Sequence, residues 1–150
     1  MSVWSAMMGE IRYFKFMNQT YTKGSFRGEY PKIELRILIP IEINGEKYTG
    51  LIDTGSTHTC ISQKAWEDLK LEAVLPDIYI GTAFEYEPHS VAQGNIKFQD
   101  AMEFKNWPIV LLPYLNDGDA DILIGMDILS KGNLSIDNFS GSTILRFEIN

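Results

Sequence analysis

One cysteine and two histidines are all that the sequence offers in thiolate or imidazole ligands. Cys60 has no partner for an internal disulfide, and His58 and His89 stand at no ligand spacing from it or from each other. Asp117, Asp119 and Asp121 alternate as a calcium loop begins. Such a loop needs glycine at its sixth position and glutamate at its twelfth, where Ile122 and Ile128 stand, so the stretch reads as a solvated acidic turn. No metal and no organic cofactor is expected. Basic residues are also few, 13 Lys and Arg against 20 Asp and Glu, for a formal net charge of -7. They are scattered, and no run of them would track a phosphate backbone, so no nucleic-acid partner is expected. No apolar stretch approaches the roughly 20 residues of a membrane-spanning helix, and no membrane partner is expected. Met1 to Met8 is mildly apolar, but no basic segment precedes it and Glu10 cuts it short, so no signal peptide is read. With the unpaired cysteine, this points to a reducing, cytoplasmic setting.

What is present is an ordinary globular composition, 45% apolar and 22% charged over 150 residues, enough for one domain and one core. Ile33, Leu35, Ile37, Ile39, Ile41 and Ile43 are apolar at every second position, the period of a strand with one buried face. Pro40 interrupts that ladder and predicts an edge position or a bulge. Asn44-Gly45 predicts a two-residue hairpin turn, and the returning strand from Lys47 to Ile52 delivers Asp53 at its end.

Ser62 predicts the N-cap of a short helix running to Leu69. Ile78 to Glu85 and Val91 to Phe98 predict two strands joined by a turn near Tyr86 to His89. Trp107 to Leu112 and Ile122 to Ile124 read as further strands. Met126 to Ser130 reads as a turn or two of helix closed by Gly132. Leu134 to Ile136 and Thr143 to Ile149 read as the last strands. Before this ordered pattern, Ile11 to Phe16 suggests a short strand and Asn18 to Gly28 a polar loop. The prediction is a mostly β fold with two short helices.

The chemistry concentrates in Leu51-Ile52-Asp53-Thr54-Gly55-Ser56-Thr57. Gly55 permits a sharp turn and leaves space beside the Asp53 carboxylate. The hydroxyls of Thr54 and Ser56 can bond locally and fix the loop. Alone, this triplet is weak, because an Asx-turn after a hairpin has the same composition. Three features favour a site. The triplet follows apolar strand residues, a second apolar strand ends at Ile124-Gly125 and enters a helix, and a hairpin between them is able to fold over a cleft.

Leu51 to Thr57, taken with Ile122-Leu123-Ile124-Gly125-Met126-Asp127-Ile128-Leu129, resembles the retropepsin-like aspartic peptidases, the group of the retroviral proteases and their cellular and bacterial relatives. The resemblance runs from Lys32 to Ile149. It implies an all-β, pepsin-like acid protease barrel: a single retropepsin-type lobe with two short helices, paired as a symmetric homodimer. Residues 31–150 would be the peptidase domain and 1–30 an extension of unassigned role.

The resemblance makes Asp53 the catalytic residue, with Thr54, Gly55 and Ser56 as the active-site loop. Thr54 would grip the partner chain, and Gly55 would place a carbonyl against substrate. Ile122 to Leu129 would brace the loop. Ile80, Gly81, Thr82 and Ala83 would belong to a flap that closes on a peptide or protein substrate. The last strand would join an intersubunit sheet. Because the chemistry needs two carboxylates sharing a proton and the sequence has one Asp-Thr-Gly, the second is expected from another copy. Ser56 is expected to donate to the carboxylate pair and lower the pH optimum.

There are departures. Retroviral members pair an aspartate in this loop with an arginine in the downstream helix; here those stretches read Thr57-His58-Thr59 and Met126-Asp127, so another contact has to stabilise a dimer. Cys60 reads as a small buried residue, Trp66 and Trp107 as core anchors, and Asp127 as structural at a helix start. The competing functional reading is a non-catalytic peptide-binding or dimerisation module on the same fold.

Overall fold

The computed structural model describes residues 18–31, 36–81, 86–99, 101–115, 118–139 and 141–150. The expected strand at Ile11 to Phe16, the apolar positions Ile33 and Leu35, and the flap positions Thr82 and Ala83 lie outside them. The elements in order are β1 (Thr20–Tyr21), β2 (Gly24–Pro31), β3 (Leu38–Ile43), β4 (Glu46–Ile52), β5 (Cys60–Ile61), α1 (Gln63–Asp68), β6 (Leu75–Gly81), β7 (Tyr86–Phe98), β8 (Met102–Leu111), β9 (Ile122–Ile124), α2 (Met126–Leu129), β10 (Asn133–Phe139) and β11 (Ser142–Ile149).

Strands β8, β5, β9, β4, β3 and β7 are neighbours in that order, and β7 pairs back onto β8, which closes a barrel. Ile39, Ile41 and Ile43 point into it at 3% exposure or less, as their period of two predicts. Asn44 and Gly45 take φ of 51° and 84°, the left-handed pair of the predicted hairpin turn. At Pro40, β3 pairs with β4 alone, because its pairing with β7 begins at Ile41, so the missing N–H lies where a ladder bond is not required. Ser62 caps α1 by accepting from the Ala65 N–H at 3.2 Å.

A second, three-stranded sheet runs β10-β11-β2. Leu145, Phe147 and Ile149 enter the core from β11, and Phe26 enters from β2, stacked on Phe98 with ring centroids 5.5 Å apart. This corrects the polar loop expected over Asn18 to Gly28. Two glycines and two charges mask the alternation of Phe26 and Tyr30, and pairing with β11 decides the conformation.

Three further expectations are corrected. Tyr86 to Pro88 is not a turn but continues β7, with Ile78 opposite His89 and Gly81 opposite Tyr86. Pro88 is tolerated there because β7 meets β8 only from Val91 onward, which leaves one side of the strand without a ladder. Strand β8 begins at Met102 rather than Trp107. Gly132 does not close α2; Ser130 is the C-cap, and Gly132 is needed because a Cβ there would sit 2.2 Å from the Glu148 carbonyl oxygen.

Candidate active site

Asp53 follows directly on β4, which β3 flanks on one side and β9 on the other. β9 pairs with β4 in parallel, Leu51 opposite Leu123 and Ile52 opposite Ile124, and the Asp53 N–H continues the ladder onto the Ile124 carbonyl at 3.0 Å. The backbone that carries the carboxylate is therefore an extension of two packed strands. Beyond it the chain turns at once. The Ser56 N–H donates to the Asp53 carbonyl at 3.2 Å and the Gly55 N–H to Asp53 Oδ1 at 3.0 Å. A Cβ on Gly55 would lie 3.3 Å from that same Oδ1, so glycine keeps the carboxylate uncrowded. Asp53 is half-buried, while Thr54 and Gly55 are exposed. The local shape is an Asx-turn in form, mounted on a rigid base.

The second motif lies under this loop. Met126 donates its N–H to the Ser56 carbonyl at 2.7 Å. A Cβ on Gly125 would come within 2.5 Å of the His58 carbonyl oxygen and 2.9 Å of that of Ser56, so no other residue fits there without moving the loop. Thr59, fully buried, donates from Oγ1 to Asp127 Oδ1 at 2.8 Å and accepts the Gly125 N–H at 3.3 Å. The indole N–H of Trp107, from β8, donates to Asp127 Oδ2 at 3.0 Å. Asp127 is thus a carboxylate with a donor on each oxygen, each bond strengthened by its charge. It ties loop, barrel wall and helix into one network. Its structural role was visible from its place at a helix start. The parts of Thr59 and Trp107 were missed, although a core tryptophan that must find a partner for its N–H is itself a signal.

One expectation about the loop changes. The Ser56 hydroxyl donates to the His58 carbonyl at 2.6 Å, so its proton is spent inside the loop and not on the carboxylate. His58 is half-buried, its Nδ1 2.8 Å from Thr57 Oγ1.

Beside the loop, Leu75, Ile78 and Ile80 of β6 pack onto a second apolar cluster of Cys60, Val91 and Val110, together with Leu112 and Leu123. The β6–β7 hairpin is therefore seated on an apolar floor, and Leu123 of that floor is the β9 partner of Leu51, two residues before Asp53. Of the expected flap residues, Ile80 is half-buried in this contact and Gly81 is exposed. Burial pushes the Cys60 thiol up to about 12, far from the thiolate that a nucleophile requires. At the root of the hairpin, His89 is buried with Nδ1 2.9 Å from the Leu111 carbonyl. Tyr114 donates its hydroxyl proton to Glu87 Oε2 at 2.6 Å. Among the described residues no group of three His, Cys, Asp or Glu side chains is placed to hold a metal ion.

A closed barrel with a strand-end Asp-Thr-Gly, a glycine-led helix bracing it and a hairpin seated beside it is the fold of the retropepsin-like aspartic proteases. The chain belongs to the family described as "gag-polyprotein putative aspartyl protease", whose profile matches residues 39–131. Among solved structures, a retropepsin-like aspartic protease from Rickettsia conorii superposes with a TM-score of 0.61 at 18% identity, covering 85% of this chain and 97% of that one. The protease of simian foamy virus (mac) aligns more loosely, with a TM-score of 0.46 at 23% identity over 63% of this chain and 92% of its own. No curated protein sequence matches the chain.

Proposed function

We propose that the chain is an aspartic endopeptidase whose active site is completed by a second copy, with the two Asp53 carboxylates facing each other across a two-fold axis. One carboxylate takes a proton from a water held between them and the other protonates the scissile carbonyl. Two such groups at close range do not ionise independently. They titrate as a pair with one proton shared, which supplies the base and the acid at one pH. The substrate lies extended across the Asp53 loop beside the β6–β7 hairpin, bound largely through its main chain.

The observation that carries this reading is the way Asp53 is held. Its N–H is on Ile124, its loop rests on Gly125 and Met126, and among the described residues no donor engages Oδ2. A turn that only joined two strands would need none of this bracing.

The test is cleavage of a peptide library from acidic to neutral pH, by wild type and by Asp53→Asn, with and without an inhibitor directed at aspartic peptidase sites. Cleavage by wild type that the inhibitor blocks and the variant lacks is expected. Equal cleavage by the two proteins would refute the assignment.

A further inference from the structure

Strand β8 shifts register in mid-course, and the shift aims Trp107. Gly94 of β7 stands opposite Trp107 and Ile96 opposite Phe104, so Lys105 and Asn106 of β8 together face the single residue Asn95. That is a β-bulge, with Asn106 in the left-handed region at φ 53°. Without the extra residue, Phe104 and Trp107, three positions apart, would point to opposite faces of the strand. With it both are buried, at 0% and 4% exposure, and their rings meet edge to face at 5.1 Å. The indole N–H thereby reaches Asp127, the carboxylate that braces the Asp53 loop.

Strand β1 is laid along this bulge. Thr20 pairs with Lys105 and Tyr21 with Phe104. The Thr22 N–H donates to the Glu103 carbonyl at 3.0 Å, and the Asn106 side-chain amide donates to the Asn18 carbonyl at 3.3 Å. The Tyr21 ring stacks on Phe104 at 5.8 Å and stands edge-on to Trp107 at 6.3 Å. From the other edge, Asn95 Oδ1 accepts the Asn106 backbone N–H at 3.0 Å. The bulge is thus held from both sides, by β7 and by β1. Strand β1 lies outside the residues 39–131 that match the family.

We propose that β1 is a strap that positions the Asp53 loop, acting through Tyr21, Trp107 and Asp127, and that Tyr21 is a positioning residue for the peptidase reaction. The path is continuous. It runs ring to ring from Tyr21 to Trp107, from the indole N–H to Asp127 Oδ2, from Asp127 Oδ1 to Thr59, and from the Thr59 hydroxyl to the Gly125 N–H beneath the loop. Lifting the strap leaves the bulge bonded on one edge and uncovers Trp107, so the indole loses the fixed direction that its bond to Asp127 needs. The effect on catalysis rests on the peptidase reading given above; the effect on the loop does not.

Hydrogen exchange of the full chain, read by NMR, tests the path without substrate. Tyr21 is 43% exposed, so its replacement leaves the core filled. In Tyr21→Ala the Trp107 indole N–H and the Met126 backbone N–H, which bonds the Ser56 carbonyl, are expected to exchange about tenfold faster. The amides of the β2–β11 pair are expected to keep their wild-type rates. Tyr21→Phe, which keeps the ring, is expected to restore the wild-type behaviour. Thr22→Pro removes the N–H that meets Glu103 and leaves the ring in place, and is expected to act as Tyr21→Ala does.

In peptide cleavage, Tyr21→Ala should lower kcat about fivefold to tenfold with KM unchanged, again restored in Tyr21→Phe. Loop amides that exchange at the wild-type rate overturn the proposal. So does faster exchange spread evenly over loop and sheet, or a loss of activity that lies in KM alone. A wild type that cleaves nothing counts against the peptidase reading, while the exchange rates still decide the strap.

Discussion

The barrel and the three-stranded sheet share one core and divide the work of the molecule differently. Residues 39–131, the part matched by the family, hold the Asp53 loop, its brace, the hairpin and the apolar floor. The sheet of β2, β10 and β11 lies outside that stretch. Its inner face gives Phe26, Leu145, Phe147 and Ile149 to the core, and its outer face is polar, with Arg146 paired to Asp137 and Ser142 bonded to Glu29. In the barrel, polar groups such as the buried Thr59 and the half-buried Asp127 position a loop. In the sheet, buried apolar groups hold the chain together. Chemistry and stability should therefore come apart under mutation.

The sharpest test of that separation is Asp53→Asn, expected to lower peptidase activity by about 10²–10⁴-fold while the denaturation midpoint stays where it was. A variant that loses stability in proportion would mean the carboxylate is structural. Phe26→Ala is the mirror case. It empties a stacked aromatic site in the sheet and should cost about 3–5 kcal/mol in denaturant unfolding, with the surviving folded protein retaining its kcat. Asp127→Ala belongs to both regions. It strands the donors of Trp107 and Thr59, so a loss of about 3 kcal/mol is expected together with a fall in kcat of about 100-fold from a displaced loop. Asp127→Asn, which keeps one acceptor, should recover part of each.

The smaller effects concern the loop's neighbours. Cys60 is neutral in the fold, with its thiol raised by burial from 9.0 to about 12. Its contribution to stability is whole below pH 9 and declines as pH rises toward 12, by at most about 1.4 kcal/mol per pH unit. Comparing alkaline unfolding of wild type with Cys60→Ala isolates it, since Tyr48 is also raised and titrates in both proteins. Ser56→Ala should cost only about 1 kcal/mol, the bond to His58, and leave the pH optimum unmoved. A shifted optimum would show that the hydroxyl turns toward the carboxylates when a partner arrives.

Legibility in the sequence followed the same division. The barrel strands declare themselves through period-two isoleucines, Asn44-Gly45 and Pro40, because each of those signals is local. Asp53 and Ile122 to Leu129 were recognisable as two halves of one arrangement. What joined them, Thr59 to Asp127 and Trp107 to Asp127, links residues far apart in sequence and leaves no local pattern. Strand β2 was read as a loop because Gly24, Gly28, Arg27 and Glu29 outweigh Phe26 and Tyr30 until β11 is beside them. Pro88 looked like a turn because proline usually is one, and only the lack of a second neighbour for that part of β7 excuses it.

The brace under Asp53 also sets a clock. Thr59 and Asp127 stand 68 positions apart, and the parallel pair of β4 and β9 spans a similar length of chain. Such contacts close late, since a long loop must be organised before they return any free energy. A polypeptide still being synthesised, and not yet extended past Gly125, carries its aspartate on a turn with nothing beneath it.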